Sequence, residues 1–358
     1  MKRFLSLDVM RGITIACMIM VNNGYGETFA PLEHSKWNGL TPCDLVFPFF
    51  LFMVGVSIYI SLSRHAGEPG MVRRIMRRTV VMFAIGVLLH VWEMLLGGKA
   101  ALIADQVRVW GVLQRIALSY CAAALIFHYG KGRWLWHTVI GLLVIYAVIL
   151  LVGHGYSEDA SANVLARVDR SLFGNHLYRK MLDGRSPVDP EGLVGTLSST
   201  ALTLLGVICG RAIIRSGELT ERLSRLLLIA AAIGITGWFM SFGLPFNKRI
   251  FSPSYVLFTS GMAAALLGLL TWIVDVRQHQ RWCRPFCWFG MNALGIYVLG
   301  EMLPPVLKAT STNDAIYSLW SAVLGTNPWS SLCYALTLVA MLGLVAWILY
   351  KNKIYIKI

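Results

Sequence analysis

Residues Asn22 to Gly55 read NNGYGETFAPLEHSKWNGLTPCDLVFPFFLFMVG and join two apolar runs. His34 is the reactive centre of the stretch, because an imidazole can take a proton from an attacking amine or hydroxyl near neutral pH. Two carboxylates close in sequence, Glu33 and Asp44, can orient it or balance its cation, and Asp44, at the start of the second run, is the better placed. The amides of Asn22, Asn23 and Asn38 and the indole of Trp37 suit a carbonyl or a sugar. Gly24, Gly26 and Gly39 permit tight backbone turns beside a ligand. A lone loop histidine is more often an ordinary surface residue, so this chemistry needs support from the rest of the chain.

Several apolar runs carry polar groups that hydrocarbon would not tolerate alone. Asp8 and Arg11 are three apart, and His90 and Glu93 lie in a later run. Gln114 and Arg115 fall within WGVLQRIALSY, where an arginine needs a carboxylate or phosphate partner. Asn292 is cheaper and suits interhelical bonding. Two further stretches look specialised. SPVDPEGLVGTLSST places Asp189 and Glu191 before an apolar run, and NKRIFSPSYVLFTSG places Asn247, Lys248 and Arg249 before another. An anionic ligand, or the Asp189 and Glu191 pair, would account for that lysine and arginine.

The elements that must position these groups are transmembrane helices. The 358 residues are 56% hydrophobic and 14% charged, well below the roughly 25% charged of soluble domains. Apolar runs of about 18 residues or more recur, each long enough to cross a bilayer core. Spans are expected at about 5–22, 44–63, 79–97, 111–128, 134–152, 193–212, 226–243, 255–274, 286–303 and 329–349. The weak stretch is 304–328, whose short apolar segment is re-entrant, interfacial or an eleventh span. Arg73, Arg74, Arg77 and Arg78, expected in a loop from Arg64 to Arg78, set the cytoplasmic side by the positive-inside bias. HYGKGR, with Lys131 and Arg133, falls on that side too. Ten spans then place both termini in the cytoplasm, with 23–43 and 153–192 as non-cytoplasmic loops. Pro48 should kink the second span and open a polar cavity.

The same charge pattern explains the net charge of +14 without nucleic acid. Asp8 and Arg11 interrupt the first apolar run, so it reads as a retained span rather than a signal peptide. Cys283 and Cys287 are four apart with no accompanying histidine, so no metal site is expected. No Walker loop or dinucleotide fingerprint appears, and there is no fixed-period repeat. The fold class is therefore all-α, a polytopic transmembrane bundle forming one domain over 1–358.

LDVMRG (7–12), VNNG (21–24), HSKWNGLTPCDLVFPFFLFMVG (34–55), GVLQRIALSY (111–120), DPEG with its following TL (189–197), NKRIFSPSYVLFTSG (247–261) and GMNALGIYVLG (290–300) occur in that order. Together they make the chain resemble the heparan-alpha-glucosaminide N-acetyltransferase family. The resemblance implies acetyl transfer from cytosolic acetyl-CoA to the amino group of a terminal glucosamine across the membrane. It implies His34 as the catalytic histidine before its WNG sequence, Asn22 as the functional asparagine with Asn23 beside it, and a homodimer. On this reading Asp44 assists His34, while Arg73, Arg74, Arg77, Gln114 and Arg115 hold acetyl-CoA. Asn23, Trp37, Asn38, Asp189, Glu191, Asn247 and Lys248 face a glycan acceptor on the periplasmic side of a bacterial inner membrane. His34 acts as general base for direct transfer in preference to forming an acetyl-imidazole. The rival readings are a transporter or flippase of a sugar or glycolipid, which would also use helix breakers and buried polar groups, and a membrane scaffold without chemistry.

Overall fold

The computed structural model describes residues 4–65, 68–130, 132–178, 188–214 and 217–356. Lys131 and residues 179–187 of the 153–192 loop lie outside them. The described chain is all-helical. Its helices are α1 (Leu5–Asn22), α2 (Val46–Arg64), α3 (Met71–Leu96), the single turn α4 (Ile103–Gln106), α5 (Val112–Tyr129), α6 (Trp134–Val152), α7 (Val164–Phe173) and α8 (Thr196–Ile214). They continue with α9 (Leu219–Met240), α10 (Pro253–Leu270), α11 (Arg284–Met291), α12 (Ala293–Ala309), α13 (Thr312–Leu324) and α14 (Pro328–Lys351). Among the described residues nine helices are long and apolar enough to cross a membrane. The pair α11 and α12, bent by 84° at Asn292, makes a tenth candidate.

The bundle is built around α8, the most buried candidate span at 83%, against 17% for α3. Helix α8 packs on α2, α5, α6, α9 and α10. Close approach of α2 and α8 depends on glycine: a Cβ on Gly55 would stand 2.0 Å from the Thr203 carbonyl oxygen, and one on Gly206 2.2 Å from that of Phe52. Small residues of this kind let helix backbones meet where lipid supplies no hydrophobic drive. The outer faces are apolar: Ile140, Val144, Val148 and Leu151 of α6 are all exposed along one stripe.

Two expectations are corrected. The four arginines at 73–78 are helical, not looped, because α3 starts at Met71; at 26 residues and about 39 Å it outruns a hydrocarbon core of about 30 Å. Its first turns can therefore lie in the headgroup zone with their charges. Pro48 does not kink α2, since it falls in the first turn, where a missing N–H breaks no helical bond. The sharp bend lies at Asn292 instead, and two prolines, Pro304 and Pro305, sit inside α12. Asn292 there bonds the C-terminal tail: its Nδ2 donates to the Ile354 carbonyl at 3.0 Å, and Ile356 N–H donates to its Oδ1 at 2.8 Å. The stretch 304–328 holds α13, whose 13 residues are too short to span and bury none of their side chains.

Candidate active site

Thr41-Pro42-Cys43-Asp44 forms a short 3-10 turn with a capping box, which aims the Asp44 carboxylate back at the loop before α2. Asp44 Oδ2 accepts from Thr41 N–H at 3.1 Å, Thr41 Oγ1 at 3.0 Å and Ser35 N–H at 3.2 Å. Its Oδ1 lies 2.9 Å from His34 Nδ1. A carboxylate only accepts, so Nδ1 carries the proton and Nε2 is the basic nitrogen. Asp44 has no exposed side-chain surface, whereas the His34 side chain is 49% exposed. The pair is thus a fixed anion behind an accessible imidazole. Cys43 Sγ, 3.1 Å from Nδ1, completes the near side. The TPCD capping box is the sequence signal for this geometry.

The turn before α10 reaches the same histidine. Asn247 Nδ2 donates to Asn38 Oδ1 at 3.1 Å, Gly39 N–H to the Phe246 carbonyl at 2.8 Å, and Tyr255 OH to the Asp44 carbonyl. Lys248 Nζ consequently lies 2.8 Å from His34 Nδ1, 3.0 Å from Nε2 and 3.6 Å from Asp44 Oδ1. Burial pulls the Lys248 pKa below a lysine's ordinary value, and the Asp44 carboxylate opposes that pull.

Of the two partners offered for Lys248 and Arg249, an anionic ligand or the Asp189 and Glu191 pair, the second is engaged elsewhere. Arg108 takes both, with Nη2 at 2.5 Å from each carboxylate, and its guanidinium lies 4.7 Å from the Tyr178 ring centre. The two carboxylates push the Arg108 pKa up against the opposing effect of burial, which is the largest single influence on it. Sequence reading missed Arg108 because it sits in a loop with no motif of its own. Arg115 is fully buried and finds a carbonyl rather than a carboxylate or phosphate: Nη2 donates to Gly192 O at 2.8 Å, with the group 5.3 Å from the Phe251 ring centre. Gln114 packs against Gly86 and Gly111.

The remaining candidates are dispersed. Asn22 Nδ2 donates to Glu301 Oε1 at 3.2 Å, a partner 279 positions away. Asn23 Nδ2 closes the last turn of α1 on the Ile19 carbonyl at 2.7 Å. Trp37 Nε1 donates to the Tyr156 carbonyl at 2.9 Å, within a small core formed with Tyr146, Leu150 and Ile250. Glu33 bonds Thr28. Arg74, Arg77 and Arg78 line a cavity of about 650 Å³ with Ser61, His65 and Tyr120, and exposed Arg73 lies outside its lining. This basic cleft is at the end of α2 opposite His34, about 28 Å away along the helix.

Residues 3–165 match the model of the family described as heparan-alpha-glucosaminide N-acetyltransferase, catalytic. The heparan-alpha-glucosaminide N-acetyltransferase of Mus musculus is 28% identical over 417 aligned positions, covering 100% of this chain and 61% of the mouse protein. That of Homo sapiens is 29% identical, with 99% of this chain and 60% of the human protein covered. The chain thus spans about three fifths of the length of these curated relatives. The match to these two relatives runs through the whole length of the chain, while that to the family model covers residues 3–165, and the chain is their homologue.

Proposed function

We propose that this protein is a membrane acetyltransferase that moves an acetyl group from acetyl-CoA to the amino group of a glucosamine-type sugar or glycan. The observation that carries the reading is the placement of two sites at the two ends of α2. A buried-carboxylate, exposed-imidazole pair stands at one end and an arginine-lined cleft at the other. The cleft suits the nucleotide phosphates of acetyl-CoA. Arg77 and Arg74 are exposed to it, and Arg78, 4.8 Å from the Tyr120 ring centre, has a buried Nε without a hydrogen-bond partner. Guanidinium groups match phosphate geometry.

Under this reading the arginine end is cytoplasmic, by the positive-inside bias, and the His34 end faces the periplasm of an inner membrane. Acetyl-CoA enters at the cleft and its thioester end reaches His34 through the bundle. His34 Nε2 takes the proton of the attacking amine, while Asp44 holds the ring and supports its cation. The amine attacks directly, since a bound thioester is already activated. The acceptor lies among Asn38, Asn247 and Glu191.

A transporter reading draws on the 84° break between α11 and α12. Broken transport helices come as corresponding pairs lining a cavity. Here one bent pair is found among the described residues, and its break is bonded to the chain's own tail. Acetyl transfer by purified protein, read by mass spectrometry across glucosamine-terminated acceptors, tests the proposal. Product from the wild type and none from His34→Ala, with acetyl-CoA still bound, is the expected result. Arg77→Glu with Arg78→Glu should weaken acetyl-CoA binding at least tenfold. Acceptor translocated unchanged, without thiol release, would instead establish the transporter.

A further inference from the structure

Lys248 is built into the His34 centre more rigidly than an acceptor-binding side chain needs to be. Its turn is closed internally: Asn247 Oδ1 accepts from Ile250 N–H at 3.1 Å, Asn247 N–H donates to Ser252 Oγ at 3.1 Å, and Phe251 N–H donates to the Lys248 carbonyl at 3.1 Å. Phe251 is held at φ +54°, a left-handed conformation that a bulky residue rarely adopts. Its ring, set against Phe47 and Tyr255, keeps it there. The turn is then bonded to the histidine loop through Asn38, Gly39 and Asp44. A lysine on such a scaffold is a preorganised cation, not a roaming surface charge.

The other basic groups nearby have separate work. Arg108 is committed to Asp189 and Glu191, and Arg115 to the Gly192 carbonyl. Among the described residues Lys248 is the cation in contact with the His34 ring. Its position, close to both ring nitrogens, cannot satisfy two diverging in-plane bonds at once. Asp44 already holds Nδ1, so the ammonium, 2.8 Å from Nδ1 and 3.0 Å from Nε2, lies against the ring with N–H groups left for a carbonyl brought beside Nε2.

We propose that Lys248 is a catalytic residue, whose ammonium donates to the oxyanion formed on the thioester carbonyl. This deepens, and rests on, the acetyltransferase reading with His34 as base. As the acceptor nitrogen bonds to the carbonyl carbon, the C=O π pair moves to oxygen, and the oxyanion so formed accepts a hydrogen bond from Lys248 N–H. His34 Nε2 takes the amine proton. Collapse re-forms the carbonyl, breaks the C–S bond and sends the sulfur out as thiol with the proton returned from His34. The products are the N-acetyl sugar and coenzyme A, with no further reactant. A donor aimed where charge develops acts on turnover rather than on ground-state binding.

The test compares Lys248→Met, Lys248→Arg and His34→Ala as full-length purified proteins, with glucosamine as the probe acceptor. Acetyl-CoA binding reports that each is folded. Lys248→Met should lower kcat by about 100-fold or more with KM for both substrates within about threefold, and Lys248→Arg should recover at least a tenth of the wild-type rate. Where Lys248→Met yields no folded protein, Lys248→Gln, which keeps a donor and removes the charge, is held to a loss of at least tenfold. A neutral variant with wild-type kcat, or one that raises only the acceptor KM, overturns the assignment. If His34→Ala itself turns over normally, the parent reading fails; an inactive His34→Ala beside a fully active Lys248→Met sinks only the role of Lys248.

Discussion

Asp44 and His34 divide one task by their exposure. The carboxylate is sealed in by three donors from its own loop and can act only through the ring, while the half-exposed ring keeps Nε2, the nitrogen that the proposed function gives to the acceptor. Asp44→Asn keeps the shape but offers Nδ1 an amide in place of an anion. It should cut acetyl transfer by about 10²–10⁴-fold with acetyl-CoA affinity unchanged, a pattern that rate and binding assays on one preparation would separate. Asp169 of α7 offers a prediction about stability. Its carboxyl is buried, and that burial pushes its pKa up to about 6, although its Oδ1 accepts from Leu193 N–H at 3.0 Å. Ionising it in the folded state is unfavourable, so the folded protein is penalised above about pH 6, and the penalty vanishes below the unfolded aspartate value near 3.9. Asp169→Asn should therefore unfold at higher temperature than wild type at pH 7.5, by at most about 3 kcal/mol in stability. The gap should close as the pH falls from 6 to 4. Equal melting at pH 7.5 would remove the argument. The His34 and Asp44 pairing was legible because the two lie only ten positions apart. Lys248 was legible as an unusual cation, but its partner 214 positions away was not.

At the scale of elements, glycine decides how near the helices lie. Gly206→Ala drives a methyl group into the Phe52 carbonyl and should destabilise the bundle by about 1–3 kcal/mol, seen as a lower thermal midpoint in detergent. Gly141→Ala on α6 meets no atom within 4 Å and should match or exceed the wild type, by up to about 1 kcal/mol, since alanine is the better helix former. If both variants melted like the wild type, close α2 to α8 contact would not be supporting the fold. Apolar run length located these helices well. It placed α9 seven residues late, at 226 rather than Leu219, because LTERLSR is too polar to read as membrane yet helical all the same. It likewise put α3 at 79 rather than Met71, since hydropathy reports the hydrocarbon and not the helix.

For the whole molecule, the two ends of α2 should lie on opposite faces of the membrane. Single cysteines at Glu27 and Glu68, in a chain whose own seven cysteines are replaced, should react with an impermeant thiol reagent from opposite sides of oriented vesicles. Labelling of both from one side would contradict the topology on which cytoplasmic acetyl-CoA depends. Glu301 of α12 and Asn22, the last residue of α1, show how distant parts of the chain also meet, joining the bent span to the residue before the histidine loop.

Composition and run length alone determined an all-helical membrane bundle, because a backbone in hydrocarbon must satisfy its own hydrogen bonds and each span must be apolar for about 20 residues. Local spacing determined the histidine and its aspartate, since a capping turn needs only neighbours. Which distant charges meet was left to the tertiary structure. Arg108 with Asp189 and Glu191, Lys248 with His34, and Asn22 with Glu301 are joined across 81 to 279 positions by helix packing. A charge buried among helices pairs with whatever the packed bundle brings within reach, and no local pattern in the chain records that choice.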